Sequence, residues 1–247
     1  MRLDVYLCET GMCTSRTEAK SFILAGAVKI NGKSIVKPAY AIEDPLPQIT
    51  VDRNVKKYVS RGGIKLEAAL DEFSISCKGR LAIDIGASSG GFTDCLLKHG
   101  ASHVIAVDSG TKQLAAELRA DSRITSVENY NARFLSSDDL AYVPDLAVMD
   151  VSFISATYII PALYKCLAEA ADFVCLVKPQ FEVGKANIGK GGIVKDARVR
   201  EEALKRVVKF AVSVGFIHLG SIPSPIEGGD GNVEYLAYFK KGKGDVD

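Results

Sequence analysis

Four charged residues in this 247-residue sequence stand after apolar runs or after glycines, and their types are suited to moving a proton. Asp150 and Lys178 each follow an apolar run, Glu234 follows a glycine-rich stretch, and Lys65 lies just after two glycines. A lysine amine in its neutral form can take a proton from a hydroxyl group, and carboxylates can orient the lysine. Two lysines and two acids can also form a purely structural salt-bridge cluster. Both interpretations stay open on residue types alone.

The segments that must position these residues alternate between apolar runs and amphipathic stretches after residue 80. This alternation predicts an α/β fold with a mainly parallel sheet and helices on both faces. The last two strands are joined by the loop 223–232, which contains no helix, so we expect them to pair antiparallel. We predict strands at 81–86, 102–108, 124–128, 145–151, 173–178, 216–222 and 233–239 and helices near 91–99, 112–120, 155–169 and 196–214.

The apolar run that contains Asp84 breaks into small residues before a helical pattern begins, which predicts a strand, a tight glycine turn and a helix. A dinucleotide fingerprint would place glycine at the position of Ser88. The order Asp84, Gly86, Ser88 and Gly90 instead resembles the first motif of class I (Rossmann-like) S-adenosylmethionine methyltransferases, whose sheet has seven strands. A carboxylate near the turn suits the ammonium group of that cofactor. An ordinary α/β turn without a ligand is the alternative.

A second acid, Asp108, ends the next predicted strand about 22 residues after the first glycine of the turn. An acid there can accept hydrogen bonds from ribose hydroxyls. NAD-binding proteins share this feature, so it indicates a nucleoside ligand without choosing between NAD and S-adenosylmethionine. The resemblance implies S-adenosylmethionine as the cofactor, and the residues that we expect to contact it are Asp84, Gly86, Ala87, Ser88, Ser89, Gly90, Gly91, Phe92, Asp108, Asn131 and Asp150.

The composition, with 47% apolar and 25% charged residues, is typical of a soluble globular protein. We find no run of about 18 apolar residues and no signal-peptide pattern, so we expect a cytoplasmic protein without a membrane span. The six cysteines are scattered without C-x-x-C pairs. We therefore expect free thiols, no zinc site and no other metal.

Positive charge is concentrated near the N-terminus. Residues 1–66 carry 11 lysines and arginines against 6 acidic residues, whereas the remaining chain carries 20 against 24. This distribution predicts a polyanion-binding module attached to a catalytic body. A helix capped by Thr14 or Ser15, a strand at 28–30 and an Asn31-Gly32 turn leading to Ile35-Val36 predict a compact helix-and-hairpin unit.

The pattern Arg2-Leu3-Asp4, Ser15-Arg16, Ala19-Lys20 and 26–33 resembles the S4 RNA-binding domain, a small α+β domain. Its basic face contacts structured RNA through phosphates and shape. A solvated basic face on a small interaction domain is the alternative. The RNA-binding candidates, including those in the basic loops near 61 and 185–190, are Arg2, Ser15, Arg16, Lys20, Lys29, Asn31, Lys33, Arg61, Lys185 and Lys190.

The predicted organisation has three parts: an S4-like domain at 1–50, a linker at 51–60 and a methyltransferase domain at 61–247. We expect a loop at the glycines beside Arg61, followed by a helix from 66 to 73. The segment 178–206 is basic and rich in glycine, which predicts a mobile loop over the active site that contacts substrate phosphates. Mobility without RNA contact is the alternative.

Across the whole chain, the motifs at 61–66, 84–92, 150–153, 177–182 and 227–234 resemble the TlyA family, also called haemolysin A. That family joins an S4 domain to an FtsJ-like methyltransferase that modifies 2′-hydroxyls of ribosomal RNA. The resemblance implies cytidines of ribosomal RNA as targets, ribosomal subunits as partners and, as we favour, a monomer. The catalytic tetrad that it implies is Lys65, Asp150, Lys178 and Glu234.

Our hypothesis for the chemistry is that Lys178 is the base. Lys65 and Asp150 would tune it and position the ribose, while Glu234 would orient a lysine or the hydroxyl. Two alternatives come from other classes of protein. One is a pore-forming haemolysin, and the other is an RNA-binding regulator with an inactive methyltransferase body.

Overall fold

The computed structural model describes residues 1–24, 26–42, 47–53, 58–228 and 231–242. Residues 54–57 of the predicted linker lie outside this part of the chain, as do 229–230 of the glycine-rich stretch before Glu234. The chain divides into two compact units, Met1–Arg61 and Gly62–Asp247.

The first unit packs two helices against a small antiparallel sheet of strand order β2-β1-β3. Its core is formed by buried apolar side chains of both helices and of the sheet. The elements are α1 (Leu3–Glu9), α2 (Arg16–Leu24), β1 (Val28–Ile30), β2 (Lys33–Ser34) and β3 (Ile49–Val51).

Two elements of this unit were not predicted. Helix α1 buries Leu3 and Leu7, which are four residues apart and therefore lie on one face. Strand β3 contributes a pairing of Lys29 with Thr50 across the sheet. Its three residues carry too short a pattern to be recognised without that partner. The predicted strand at 35–36 was wrong by two residues, because β2 pairs with β1 directly after the turn at Asn31.

The second unit contains a seven-stranded mixed sheet of order β6-β5-β4-β7-β8-β10-β9. Strands β4 to β8 pair parallel, and β10 pairs antiparallel with both β8 and β9. The predicted α/β class, the mixed sheet and the antiparallel last pair are thus confirmed. The strands are β4 (Leu81–Ile85), β5 (His103–Val107), β6 (Ile124–Val127), β7 (Leu146–Met149), β8 (Asp172–Val177), β9 (Phe216–Pro223) and β10 (Tyr235–Lys241).

The helices of this unit cover the sheet. Ile83 and Ile85 of β4 belong to an apolar core together with residues of α6 and α8, while Asp84 alternates toward α4. Three short 3-10 helices at Ala132–Phe134, Ser137–Asp139 and Ala156–Tyr158 connect strands to helices. The helices are α3 (Gly62–Glu72), α4 (Gly91–Lys98), α5 (Ala116–Arg119), α6 (Ile160–Cys166), α7 (Pro179–Glu182) and α8 (Ala197–Val214).

Three of the predicted helices were wrong in extent. The glycines at 62 and 63 begin α3 instead of forming a loop, so Lys65 lies in its first turn. Helix α5 has four residues instead of nine, because Lys112 adopts a left-handed backbone with φ of 53° and Ala115, directly before the helix, is extended with ψ of 143°. Helix α6 is confined to 160–166, with Pro161 in its first turn and an extended Leu167 after its end.

Candidate active site

A tight turn links β4 to α4 and brings the backbone close to the next strand's end. Gly86 has φ of 84°, and a side chain there would collide with the backbone carbonyl of Asp150. Gly90, with φ of 93°, precedes the first residue of α4. Both positions therefore require glycine, one because of the carbonyl contact and the other because of its backbone conformation.

Asp108 stands one residue beyond β5 and accepts two backbone hydrogen bonds. Its Oδ2 accepts from the amide of Ser88 at 2.8 Å, and its Oδ1 accepts from the amide of Gly110 at 2.7 Å. These bonds tie the glycine turn to the end of the neighbouring strand. Each carboxylate oxygen keeps a further lone pair that can accept from a ligand hydroxyl.

Asp84 is fully buried on β4. Its Oδ2 accepts a hydrogen bond from Thr93 Oγ1 at 2.6 Å, whereas its Oδ1 has no hydrogen-bond partner within the described ranges. Burial raises the pKa of Asp84 to about 7; the hydrogen bond from Thr93 opposes this rise, and the negative charge of Asp150 adds to it. A buried carboxyl with an unused oxygen is suited to a cation that is not present in the chain itself.

A cavity of about 480 Å³ opens at the carboxyl ends of β4, β5 and β7. Of the predicted cofactor residues, five line this cavity: Gly86, Ser88, Asp108, Asn131 and Asp150. The others, which do not line it, are Asp84, Ala87, Ser89, Gly90, Gly91 and Phe92. Asn131 also caps the 3-10 helix that follows it, since its side chain accepts from the amide of Arg133 at 3.1 Å.

Sequence analysis missed several residues of the cavity wall, among them Gln113, Tyr130, Ser152 and Phe153. Tyr130, Ser152 and Phe153 all follow parallel strands within a few residues, so their position after a strand end was the signal that could have identified them. Phe153 is 92% exposed and has a left-handed φ of 63°. An aromatic ring held in water at a cavity wall is an uncommon arrangement.

Lys178 and Asp150 form an ion pair at the ends of the adjacent parallel strands β7 and β8. The distance from Lys178 Nζ to Asp150 Oδ1 is 2.5 Å, and the same amine donates to Ser152 Oγ at 2.9 Å. Both charged side chains are largely shielded, with 12% and 22% exposure. The structure thus brings together two of the four predicted catalytic residues, one of which lines the cavity.

The other two predicted catalytic residues, Lys65 of α3 and Glu234, form a second ion pair that is more deeply buried. Tyr235 pairs with Val177 in the antiparallel register of β10 and β8. Glu234 and Lys178 are therefore the next residues outward on these two strands, which places both ion pairs at one edge of the sheet. Gly228 packs against Glu234, because a side chain there would lie 2.5 Å from Glu234 Oε1.

In the first unit, a buried carboxylate holds two of the predicted RNA-binding residues. Asp4 accepts hydrogen bonds from Arg2 Nε at 2.9 Å and from Arg16 at 3.1 Å. The hydrogen bond from Arg2 is the largest cause that lowers the pKa of Asp4, to about 2. Both arginine side chains remain half exposed, so each guanidinium retains donors that point to solvent.

The remaining RNA-binding candidates are dispersed. Asn31 Oδ1 accepts from the amide of Gln48 at 2.9 Å, which gives this residue a structural role in the turn. Arg61 is half-buried, and the side chain of Lys185 lies outside the described residues. The exposed candidates are Ser15, Lys20, Lys29, Asn31, Lys33 and Lys190.

None of the helices in the described ranges is long and apolar enough to cross a membrane. The same ranges contain no group of three histidine, cysteine or acidic side chains arranged to hold a metal ion. All six cysteines are free thiols.

Comparison with known proteins identifies both units. The model of the FtsJ-like methyltransferase family matches residues 58–241, and the model of the S4 domain matches residues 1–44. Both resemblances inferred from the motifs are confirmed.

Relatives match along nearly the entire chain. Hemolysin A of Brachyspira hyodysenteriae is 45% identical and covers 97% of this chain and 99% of its own. The 16S/23S rRNA (cytidine-2′-O)-methyltransferase TlyA of Mycobacterium tuberculosis is 44% identical, and the match covers 97% of this chain and 89% of that protein. A solved hemolysin structure from Streptococcus thermophilus has 44% identity and a TM-score of 0.77 over 100% of this chain and 91% of that one. The chain therefore belongs to the TlyA, or haemolysin A, family, in which an S4 domain precedes an FtsJ-like methyltransferase domain.

Proposed function

We propose that this protein transfers a methyl group from S-adenosylmethionine to the 2′-hydroxyl of a cytidine in ribosomal RNA, acting as a monomer on ribosomal subunits in the cytoplasm. The observation that carries this proposal is the Lys178–Asp150 ion pair beside the cavity at the glycine turn. The activity printed in the name of the Mycobacterium tuberculosis relative supports the choice of acceptor.

The residues present fit the cofactor. The unused oxygen of Asp84 suits the ammonium group through water, since this buried residue does not line the cavity, and Asp108 lines the cavity where ribose hydroxyls need an acceptor. Gly86 lets the backbone approach the ligand without a side chain between them. When bound, S-adenosylmethionine supplies an electrophilic methyl group on a sulfonium.

The chain's own residues handle the proton of the acceptor hydroxyl. A ribose hydroxyl is a weak nucleophile, so a positioned base is needed to remove its proton during transfer. Lys178 takes this role after its amine has given up the proton that it holds in the ion pair, and Asp150 and the hydroxyl of Ser152 keep the amine in place. Lys65 is held by Glu234 at the same edge of the sheet and positions the ribose.

Two further features support an RNA substrate. Phe153 presents an exposed ring at the cavity wall, and an aromatic ring in this setting can stack on a nucleobase. In the S4 unit, the half-exposed guanidiniums of Arg2 and Arg16 are fixed by Asp4 and suit bidentate contacts to phosphate. Phosphate contacts would fix the RNA, while the target nucleotide would reach the cavity wall beside Phe153.

The test is transfer of labelled methyl to purified small and large ribosomal subunits by the wild type and by Lys178→Met. We expect label that makes one cytidine resistant to alkaline cleavage, and a rate about 10²- to 10⁴-fold lower in the variant because its base is removed. Lys78→Met is the matched control, since exposed Lys78 precedes β4 and so lies at the opposite edge of the sheet.

Equal rates of methyl transfer in the wild type and in Lys178→Met would disprove the role of Lys178 as the base. Cofactor binding without label in any ribosomal fraction would point to a different methyl acceptor. If the wild type itself does not bind S-adenosylmethionine, the alternative of an RNA-binding regulator with an inactive methyltransferase body would be favoured.

A further inference from the structure

The carboxyl group of Glu182 is a buried acid that the proposed chemistry does not use. Glu182 is the last residue of α7 and is 8% exposed. Its Oε2 accepts from Ser155 Oγ at 2.5 Å, and its Oε1 accepts from the amide of Ala156 at 2.8 Å. Both oxygens thus accept hydrogen bonds from one short segment, which contains Ser155 and Ala156 and follows β7.

The two segments that Glu182 joins are those that carry the Lys178–Asp150 ion pair. Glu182 lies four residues after Lys178, and Ser155 lies five residues after Asp150. Strands β7 and β8 end immediately before these two charged residues. The amide of Asp150 still donates to the carbonyl of Ile85 of β4 at 2.9 Å, so it is the residues after Asp150 and after Lys178 that need another support. The side-chain hydrogen bonds of Glu182 therefore link the segment after Lys178 to the segment after Asp150.

Neither segment is rigid by its local structure alone. Helix α7 has only four residues, and so short a helix has little stability of its own. The segment after Asp150 contains Phe153 in a left-handed conformation and then a three-residue 3-10 helix. Arg206 of α8 donates to the backbone carbonyl of Glu182 at 2.7 Å, which anchors the end of α7 to a long helix.

We infer that Glu182 is a positioning residue, which holds the segments of Asp150 and Lys178 at the separation that the ion pair requires. This inference rests on the proposed function for its effect on rate, but the geometry that it describes is independent of the substrate. Glu182 touches no reacting group in this account, because it acts through Ser155 and Ala156 on one side and through α7 on the other.

The state of this carboxyl agrees with such a role. Burial is the largest influence and raises the pKa of Glu182 above its ordinary value, although the hydrogen bonds from Ser155 and Ala156 and the positive charge of Arg206 oppose the rise. Both oxygens act as acceptors, which the ionised form provides. An amide can replace the carboxylate in a Glu182→Gln variant. Its oxygen would accept from the amide of Ala156, and its NH₂ group would donate to Ser155 Oγ, which also lies 2.7 Å from Thr157 Oγ1.

The variants are Glu182→Ala, Glu182→Gln and Ser155→Ala, and the matched control is Asp172→Ala. Asp172 has a similar exposure of 7% and begins β8, so it lies at the other end of the strand that leads to Lys178. Its removal takes the acceptor from Tyr238 and one of the two acidic partners from Arg80, which keeps Asp145, so it lowers stability for a purely structural reason.

Two quantities are measured on the full chain. The first is the single-turnover rate of methyl transfer to ribosomal subunits, divided by the fraction of protein molecules that bind S-adenosylhomocysteine. The second is the rate at which acetic anhydride modifies Lys178, relative to its rate at exposed Lys165. For Glu182→Ala we expect a transfer rate about 10- to 100-fold lower, because small displacements of reacting groups have effects of that size. Cofactor affinity should stay within about twofold, and Lys178 should become several-fold more reactive as its pairing with Asp150 loosens.

Glu182→Gln should recover most of the rate, Ser155→Ala should show a smaller loss than Glu182→Ala, and Asp172→Ala should retain the wild-type rate per folded molecule. Unchanged Lys178 reactivity in Glu182→Ala, an equal loss in Asp172→Ala or an inactive Glu182→Gln would each overturn the inference. If Glu182→Ala does not fold, the Glu182→Gln and Ser155→Ala variants decide the question. A wild type that methylates no RNA would defeat the proposed function, while the reactivity of Lys178 would still test the positioning role.

Discussion

Lys65 and Glu234 are 169 residues apart in the chain and form a buried ion pair at the edge of the sheet. The pair joins the first turn of α3 to the residue before β10, so it closes the unit between its first helix and its last strand. Removing one partner leaves the other charge buried without compensation.

We expect Lys65→Met or Glu234→Gln alone to lower the free energy of unfolding by about 3 kcal/mol, as is usual when a buried pair is broken. The double variant should recover most of this stability, because neither charge remains, yet it should transfer no methyl group. Urea unfolding and methyl transfer measured on the same samples check both statements. Activity in the double variant would show that this pair is structural only.

The pH dependence of stability should contain a contribution from Asp84. Its pKa is about 7 in the folded chain against an ordinary 3.8, so the native state binds more protons than the unfolded state between these values. Stability from protonated Asp84 is therefore fully present below about pH 4 and is lost as the pH rises through 7.

We expect Asp84→Asn to gain stability relative to the wild type as the pH rises from about 4.5 to 8, by at most a few kcal/mol. Urea unfolding at intervals of half a pH unit measures the difference between the two curves. Parallel curves would show that Asp84 titrates alike in both states. Saturating S-adenosylmethionine should reduce the difference, because a bound cation favours the ionised carboxyl.

Gly86→Ala should reduce cofactor affinity at least tenfold, because the new methyl group would displace the carbonyl of Asp150 at the cavity wall. Gly79→Ala is the matched control: Gly79 has a similar φ of 74°, and its new Cβ would meet no atom within 4 Å. Both variants should lose about 1 kcal/mol of stability from backbone strain, and Gly86→Ala should lose more because its methyl group also displaces a backbone carbonyl. Titration calorimetry with S-adenosylhomocysteine should separate them, and equal affinities would contradict the role of the close contact.

Asp4→Asn should weaken RNA binding several-fold, because Arg2 and Arg16 lose the carboxylate that orients them. This loss is expected although the substitution removes a negative charge and so makes the net charge of the chain more positive by one. Glu9→Gln makes the same charge change at an exposed position of α1 and should bind RNA as tightly as the wild type or slightly better. Fluorescence anisotropy with a ribosomal RNA fragment at several salt concentrations measures both. Tighter binding by Asp4→Asn would show that net charge outweighs orientation.

Much of the fold follows from local patterns. The apolar runs that became β4, β5, β7 and β8 are continuous because strands of a parallel sheet are covered on both faces. Helix ends were less predictable: the glycines at 62 and 63 predicted a loop, and the left-handed Lys112 that limits α5 has no sequence signature. Strand β3 depended on a partner elsewhere in the chain.

The candidate catalytic residues could be identified by type and by position after strands, because parallel strands end at one edge of a sheet. The sequence alone therefore determined the family, its two domain types and the edge at which Asp150 and Lys178 meet. Which lysine pairs with which acid was decided only by the tertiary structure, since the antiparallel β10 and the first turn of α3 select Glu234 as the partner of Lys65. The contact of Glu182 with Ser155 also depended on the tertiary structure, because a buried hydrogen bond between two loops leaves no periodic pattern in either one.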